Sequence, residues 1–384
     1  MTVIQAEMPT RRTVLKTAAP VIGLAITGCM DDGGDEDAGA GDENGDGNGS
    51  SHTVSMEPVG EVTFDSVPET WSVYEADYAD MGVALGHGDG LLAVGEPERY
   101  YTDLYDEISG IEVDRDELTP LWADGVDKEL FYELDSDVHL IDPQWLENNE
   151  QFGLDEDDIE EIDMNVAPFI GNTIFRQTDE WHDYEYYTLY EAFEKVAEVL
   201  QEEERYEEFS ALHEEVITDV QERLPSESER PDGLLVFAAE EEPETFSPYR
   251  IDDEGTSNKQ FHDLGIGDAL AETGIEGIST TDRGEIDYET MLDVDPDTLF
   301  VRGHEDKSAE EFEETVVAFM QDHPVASDLT AVENGQVLRG GPLYQGPIVN
   351  LFITERTVQE LFPEEFGDEE LFDREQVAEI VEDG

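Results

Sequence analysis

The chain has 384 residues and sets 100 Asp plus Glu against 19 Lys plus Arg, a formal net charge of −81. No basic stripe is left to meet phosphates, which excludes a nucleic-acid partner, while 38% hydrophobic residues with 14 Tyr, 17 Phe and 4 Trp supply the apolar surface that a disordered chain lacks. Self-repulsion of this size destabilises a compact fold in dilute buffer. At molar salt the Debye length falls to about 3 Å, so the composition predicts a folded protein adapted to high salt.

In chain order, Arg11-Arg12 precedes Thr13-Val14-Leu15-Lys16 and an apolar run from Thr17 to Gly28. A positive start and a short apolar run form an export signal, and paired arginines point to the twin-arginine route. The run of about 12 residues is shorter than the ~20 that span a bilayer. Ile26-Thr27-Gly28-Cys29 has the form of a lipobox, and Cys29 is the only cysteine. It is expected to carry a lipid anchor, with no disulfide or cysteine metal site elsewhere. Residues 1–29 therefore predict a twin-arginine signal and lipobox, and a mature chain on the extracellular face of the cell membrane, attached through lipid alone. Residues 30–56, rich in Gly and Asp, are expected to form a disordered tether. They include a glycosylation sequon at Asn48.

From residue 57, short apolar runs alternate with helical patterns. Trp71 to Tyr74, Leu91 to Val94, Val138 to Ile141 and Val166 to Ile170 read as strands bounded by Gly, Asp or Pro. Residues 57–187 thus predict an N-terminal α/β lobe. Leu189, Phe193, Val196, Val199 and Leu200 keep helical spacing, followed by Phe209, Leu212, Val216, Val220 and Leu224, and Pro225 closes the pattern. Residues 188–224 are therefore expected to be two consecutive helices with a joint near Gln201 to Glu204, serving as a rigid spacer. The alternation resumes over 225–384, a C-terminal α/β lobe. Strands are expected at Gly233 to Ala238, Thr298 to Val301 and Gln336 to Arg339. Helices are expected at Phe261 to Ala271, Phe312 to Met320 and Ile348 to Phe362. Such βα alternation implies mainly parallel sheets with covered faces.

Several stretches, in order, resemble one family. Trp71 to Gly95 (WSVYEADYADMGVALGHGDGLLAVG) is similar to its opening strand, a helix ending in an "-ALG-GD-" turn, and the second strand. Leu134 to Ile141, Tyr288 to Val301, and His323-Pro324-Val325 through Ala331-Val332-Glu333-Asn334-Gly335-Gln336-Val337 are similar to its later signatures. Over roughly residues 57–363 the chain resembles the class III solute-binding proteins of ABC importers, the siderophore and vitamin B12 receptors, in a haloarchaeal form. The resemblance implies two Rossmann-like α/β lobes joined by a long rigid helix, with a ligand cleft between them. It also implies a monomeric binding protein that is not an enzyme, and an ABC permease with its ATPase as partner. The family's Ser/Thr-rich "SLSPSATE"-like turn is replaced by Tyr74-Glu75-Ala76-Asp77.

In open α/β sheets, ligands lie beyond the carboxyl ends of the strands. Five bases of this acid-rich chain fall at or just after expected strand ends: Arg176, Arg250, Lys259, Arg302 and Arg339. Arg presents a planar fork suited to carboxylate, phosphate or catecholate oxygens, although any one base could instead pair with a neighbouring carboxylate. Trp145, Trp181, Tyr249 and Tyr344 lie near these bases, the two Trp and Tyr344 in Pro- or Gly-rich surroundings or on loops. Flat apolar walls with a few directed charges suit a bulky metal chelate. The eight His show no short ligand spacing; His182 and His304 are the two in expected cleft loops. The expected ligand is an Fe(III)–siderophore complex, with no resident cofactor or protein-bound metal. A corrinoid or haem in the same fold is the nearest alternative, and a structural surface lipoprotein without a small ligand is the alternative of another class. No nucleophile elbow, phosphate loop or dinucleotide fingerprint is present.

Overall fold

A computed structural model describes residues 51–122, 126–278 and 284–382. The signal, the lipobox with Cys29, the Asn48 sequon and nearly all of the expected tether lie outside the described residues. The far end of the tether does not. His52–Met56 forms strand β1, paired antiparallel with β2 (Gly60–Phe64). Val54, Met56 and Phe64 alternate inward into the core, the period-2 pattern of a half-buried strand.

The N-terminal lobe follows as β3 (Trp71–Val73), α1 (Ala76–Ala84), β4 (Leu91–Val94), β5 (Thr119–Pro120), α2 (Lys128–Leu134), β6 (Val138–Leu140), α3 (Pro143–Asn148) and α4 (Glu156–Asn165). Its sheet has the order β5-β4-β3-β6, every pair parallel. The strand expected at Val166 to Ile170 is reduced to a single bridge, Phe169 to His139. There the chain serves as an edge contact and then leaves the sheet.

α5 (Leu189–Leu200) and α6 (Glu203–Arg223) meet the expectation of two consecutive helices. Thr188 and Glu191 form a reciprocal capping box at the start of α5. Gln201, with φ of 57°, turns the chain at the joint. The C-terminal lobe comprises β7 (Asp232–Phe237), β8 (Thr245–Tyr249), α7 (Lys259–Leu264), β9 (Gly267–Asp268), β10 (Ile286–Asp287), α8 (Tyr288–Val294), β11 (Thr298–Arg302), α9 (Ala309–Phe312), α10 (Ala318–Asp322), α11 (Thr330–Glu333) and β12 (Val337–Arg339). A π-helical turn, Glu313–Val317, connects α9 to α10. β11 is parallel to β7 and β12, whereas β8 and β10 form an antiparallel margin. The helix expected to reach Ala271 stops at Gly265, whose φ of 61° suits glycine at a helix end.

The final helices are α12 (Pro347–Leu361) and α13 (Arg374–Glu382). They correct the expected boundary at residue 225, because Ile348, Leu351, Phe352, Phe372, Val377 and Ile380 belong to the core of the N-terminal lobe. Val358, one turn beyond Thr354, belongs instead with Leu235 and Phe300 of the C-terminal lobe. α6 makes the same crossing, with Phe209, Leu212 and Val216 in the first core and Val220 in the second. Two helices, not one, therefore tie the lobes together. α12 is fixed at its start by Asp80 of α1, whose carboxylate accepts the amides of Ile348 at 2.8 Å and Val349 at 3.0 Å. The approach is so close that a Cβ at Gly346 would stand 2.4 Å from the Asp80 Cβ. Among the described residues no helix is long and apolar enough to cross a membrane.

Candidate functional site between the lobes

The loops after the parallel strands of both lobes converge on a cavity of about 520 Å³. Its N-terminal wall holds Tyr74 after β3, Arg99 and Tyr101 after β4, Trp122 after β5, Trp145 in α3, and Phe175-Arg176. Its C-terminal wall holds Tyr249, Arg302 and Glu305, and Tyr344 closes it from the loop before α12. This is the position at which open parallel sheets bind ligands.

The aromatic wall is a packed set. Asp142 caps α3 by accepting the Gln144 amide at 2.9 Å, which sets Trp145 over the cavity. Trp145 meets Phe175 edge-on with centroids 5.3 Å apart, and Phe175 meets Tyr344 edge-on at 5.2 Å. The Trp145 indole N–H is buried without a hydrogen-bond partner, leaving a donor at the wall.

Two guanidinium groups face this space from opposite lobes. Arg176, 8% exposed, lies 5.3 Å from the Trp145 ring centroid and 5.1 Å from that of Phe175. Its Nε donates to Asp179 at 3.0 Å, and its Nη2 is buried without a partner. Arg302 is 2% exposed. Its Nε donates to the Gly341 carbonyl at 3.2 Å and its Nη2 to the Ser257 carbonyl, while Nη1 has no partner. The Tyr249 ring lies 4.9 Å from its Cζ. No carboxylate among the described residues comes within ion-pair distance of Arg302 (4.0 Å), and burial pulls its pKa below the ordinary value. Across the mouth, Tyr101 donates to Glu305 Oε2 at 3.4 Å, an oxygen that also accepts the Gly303 amide at 2.9 Å. Glu305 Oε1 is buried and unpartnered.

Behind the N-terminal wall lie three buried carboxyl groups. Asp142 accepts from the Thr173 amide at 2.8 Å and from the Tyr184 hydroxyl. Asp77 accepts from the Tyr78 amide at 2.9 Å and the Thr256 hydroxyl at 3.4 Å. Burial pushes Asp142 up to about 6 and Asp77 up to about 7. Glu75 is 1% exposed and has no hydrogen bond to either oxygen. Burial, then the charges of Asp77 and Asp142, push it well above the usual carboxylate range, with Arg176 opposing them.

Of the residues expected from sequence, Trp145, Arg176, Tyr249, Arg302 and Tyr344 line the cavity. The others do not. Arg250 turns away to Asp268 at 2.7 Å and Asp252 at 2.9 Å. Arg339 bonds the Lys307 carbonyl and Glu360. Lys259 pairs with Asp263 at 2.6 Å, in a separate cavity of about 310 Å³ that it shares with Tyr186, Tyr190 and Glu254. Trp181 stands one layer back, 6.2 Å from Trp145 and stacked on His182 at 5.6 Å. His182 is buried, which lowers its pKa to about 4, and buried His304 packs near Phe312. The expected group of five cleft bases thus reduces to Arg176 and Arg302. Sequence reasoning missed Tyr74, Arg99, Tyr101, Trp122 and Glu305, although Arg99 and Tyr101 follow β4 as directly as the chosen bases follow their strands. Among the described residues no group of three or more His, Cys, Asp or Glu stands ready to hold a metal ion.

The described fold is similar to that of solved receptors. The petrobactin-binding protein YclQ of Bacillus subtilis shares 15% identity and a TM-score of 0.55, over 82% of this chain and 99% of that one. FeuA of Bacillus subtilis, a triscatecholate siderophore binding protein complexed with ferri-bacillibactin, shares 13% identity and a TM-score of 0.56, over 81% and 98%. The iron uptake ABC transporter substrate-binding protein PiuA of Streptococcus pneumoniae shares 16% and 0.54, over 82% and 100%. No curated protein matches the chain in sequence. The periplasmic binding protein family model matches residues 72–343, most of the described part and both walls of the cavity, and the chain belongs to that family.

Proposed function

We propose that the protein captures a ferric siderophore outside the cell and delivers it to an ABC permease with its ATPase. The observation that carries this reading is Arg302. In a chain with a net charge of −81, one guanidinium is buried in the cleft wall, bonded among the described residues to two backbone carbonyls and with one N–H unpartnered. A buried cation with no carboxylate in direct contact is costly, the charge of Glu305 acting on it only at longer range, and an anionic ligand lowers that cost. Arg176 supplies a second donor from the other lobe, and the aromatic wall accepts a flat, bulky body. FeuA, a triscatecholate siderophore binding protein complexed with ferri-bacillibactin, supports the class of ligand. The export signal and lipobox support a receptor held at the extracellular face through a lipid on Cys29, and the charge supports operation at high salt, as in a haloarchaeon.

The test is a titration of tryptophan fluorescence at molar salt with ferric siderophores, haem and cobalamin. Trp122 and Trp145 lie in the wall and report directly. The siderophore reading requires saturable quenching by an iron chelate that Arg302→Gln weakens. A response to cobalamin alone, indifferent to that substitution, would transfer the assignment to a corrinoid. Silence toward every ligand would leave a surface lipoprotein without cargo.

A further inference from the structure

The turn after β3 holds Glu75, and the receptor reading above does not use it. Glu75 follows the cavity-lining Tyr74 and is itself sealed from solvent. Asp77 and Tyr78 face it from α1, Asp142 from the loop after β6, Tyr184 from the segment before α5, and Tyr344 from the loop before α12. Arg176 is the one positive group acting on it. Asp77 and Asp142 each have hydrogen-bond donors; Glu75 has none. A carboxylate buried without donors beside two other acids is strongly disfavoured. Its charge is tolerable only through the field of Arg176, whose Nε is already held by Asp179.

We propose that Glu75 fixes how much anionic charge the cleft accepts: it competes with the ligand for Arg176, so that capture of an anionic chelate requires Glu75 to carry its proton. An anion arriving at Arg176 Nη2 removes the field that allows Glu75 to ionise. Binding therefore takes up a proton wherever Glu75 is partly ionised in the empty protein. Conversely, ionised Glu75 repels the anion and partly neutralises its donor. The direction follows from the ligand's negative charge, which cancels the Arg176 field that opposes protonation of Glu75. Affinity is full at low pH and falls as pH rises through the titration of Glu75, by at most about tenfold per pH unit. Glu75 is a positioning and specificity residue here; Arg176 makes the contact.

The inference rests on the receptor reading, and the experiment separates the two. Binding of a ferric tris-catecholate and its gallium(III) analogue is measured by calorimetry at molar salt, from about pH 5 to about pH 9, in buffers of different ionisation enthalpy. The wild type, Glu75→Gln and Arg176→Gln are compared. Gln copies the shape and neutrality of the protonated acid, and Glu75 has no hydrogen bond to lose. The expected result is proton uptake of up to one per ligand in the wild type. Glu75→Gln should bind like the wild type at the acid end, lose the uptake and keep its affinity as pH rises. Arg176→Gln should bind more weakly and with a flattened profile. The chelate's own protonation enters all three proteins alike and cancels in the comparison. If Glu75→Gln keeps the wild-type pH profile, or the wild type takes up no proton, the role of Glu75 is refuted while the receptor stands. If no protein binds the chelate at any pH, the receptor reading falls and this inference falls with it.

Discussion

The two walls of the cleft hold their arginines in opposite ways. In the N-terminal lobe, Arg176 is bonded to Asp179 and backed by Glu75, Asp77 and Asp142, so its charge is shared before any ligand arrives. In the C-terminal lobe, Arg302 is held by two carbonyl groups and has no carboxylate in range among the described residues. Acid is abundant everywhere in this chain, so the lack of an ion pair to Arg302 among the described residues, with the charge of Glu305 acting on it only at longer range, is the informative feature. The difference assigns strength of capture to the C-terminal wall and adjustment of charge to the N-terminal wall.

Arg302→Gln breaks this comparison most directly. A charge-assisted contact to a desolvated anion contributes about 2–3 kcal/mol, so the chelate should bind on the order of a hundredfold more weakly. The folded protein should not lose stability in step, because a costly buried charge has been removed. Thermal unfolding of the empty variant within a few degrees of wild type, together with the affinity loss by fluorescence, is the expected pair of results. A large fall in melting temperature with unchanged affinity would make Arg302 a structural residue. Arg176→Gln should cost less, about tenfold or ~1.4 kcal/mol, since Asp179 has already neutralised part of the charge. Equal losses in the two variants would erase the distinction between the walls.

How the sequence could and could not distinguish these arginines is visible at two strand ends. Tyr249 and Arg250 are adjacent at the end of β8, and both were expected at the site. Side chains alternate across a strand, so Ser247 and Tyr249 face the cavity, while Arg250 points across to Asp268 of β9. Position after a strand was legible; which face met the cleft was not, because that depends on which neighbouring strand lies where. β11 ends at Arg302 and Gly303, with φ of 100°, turns the chain, so that Arg302 and Glu305 line the cavity while His304 is buried away from it. Arg99 and Tyr101 could have been found by the rule already in use, applied after β4. The two lobes and the helical joint at Gln201 followed from hydrophobic spacing and family likeness. The return of α12 and α13 to the N-terminal lobe did not, since an apolar helical face does not say which core it joins.

Arg250 gives a sharper control for that reasoning. Arg250→Gln should leave chelate affinity within about twofold. It should lower stability by about 1 kcal/mol, because Asp268, nearly inaccessible in its side chain, would lose its charged partner and keep the Leu270 amide at 2.8 Å and the Asp252 amide at 3.5 Å. Chemical unfolding and the fluorescence titration read these separately. A loss of affinity matching that of Arg176→Gln would return Arg250 to the binding set.

The smallest effect is expected at the mouth, where the walls touch. Tyr101 donates to Glu305 Oε2 at 3.4 Å, a long bond that joins the lobes across the cavity both residues line. Glu305 is not dependent on it, because the Gly303 amide holds the same oxygen at 2.9 Å. A chelate filling the space between the two side chains must part them, so the contact stabilises the empty receptor and opposes entry. Tyr101→Phe keeps the ring and removes only the bridging hydroxyl. A bond of this length contributes about 0.5 kcal/mol, at the lower end for a neutral donor, which corresponds to about a twofold change. Stopped-flow quenching should show that change in the association rate, with dissociation unaltered, because the bond is absent from the loaded state. Faster dissociation with unchanged association would mean that the bridge persists around the ligand, and the mouth would then be a clasp that forms part of the binding surface.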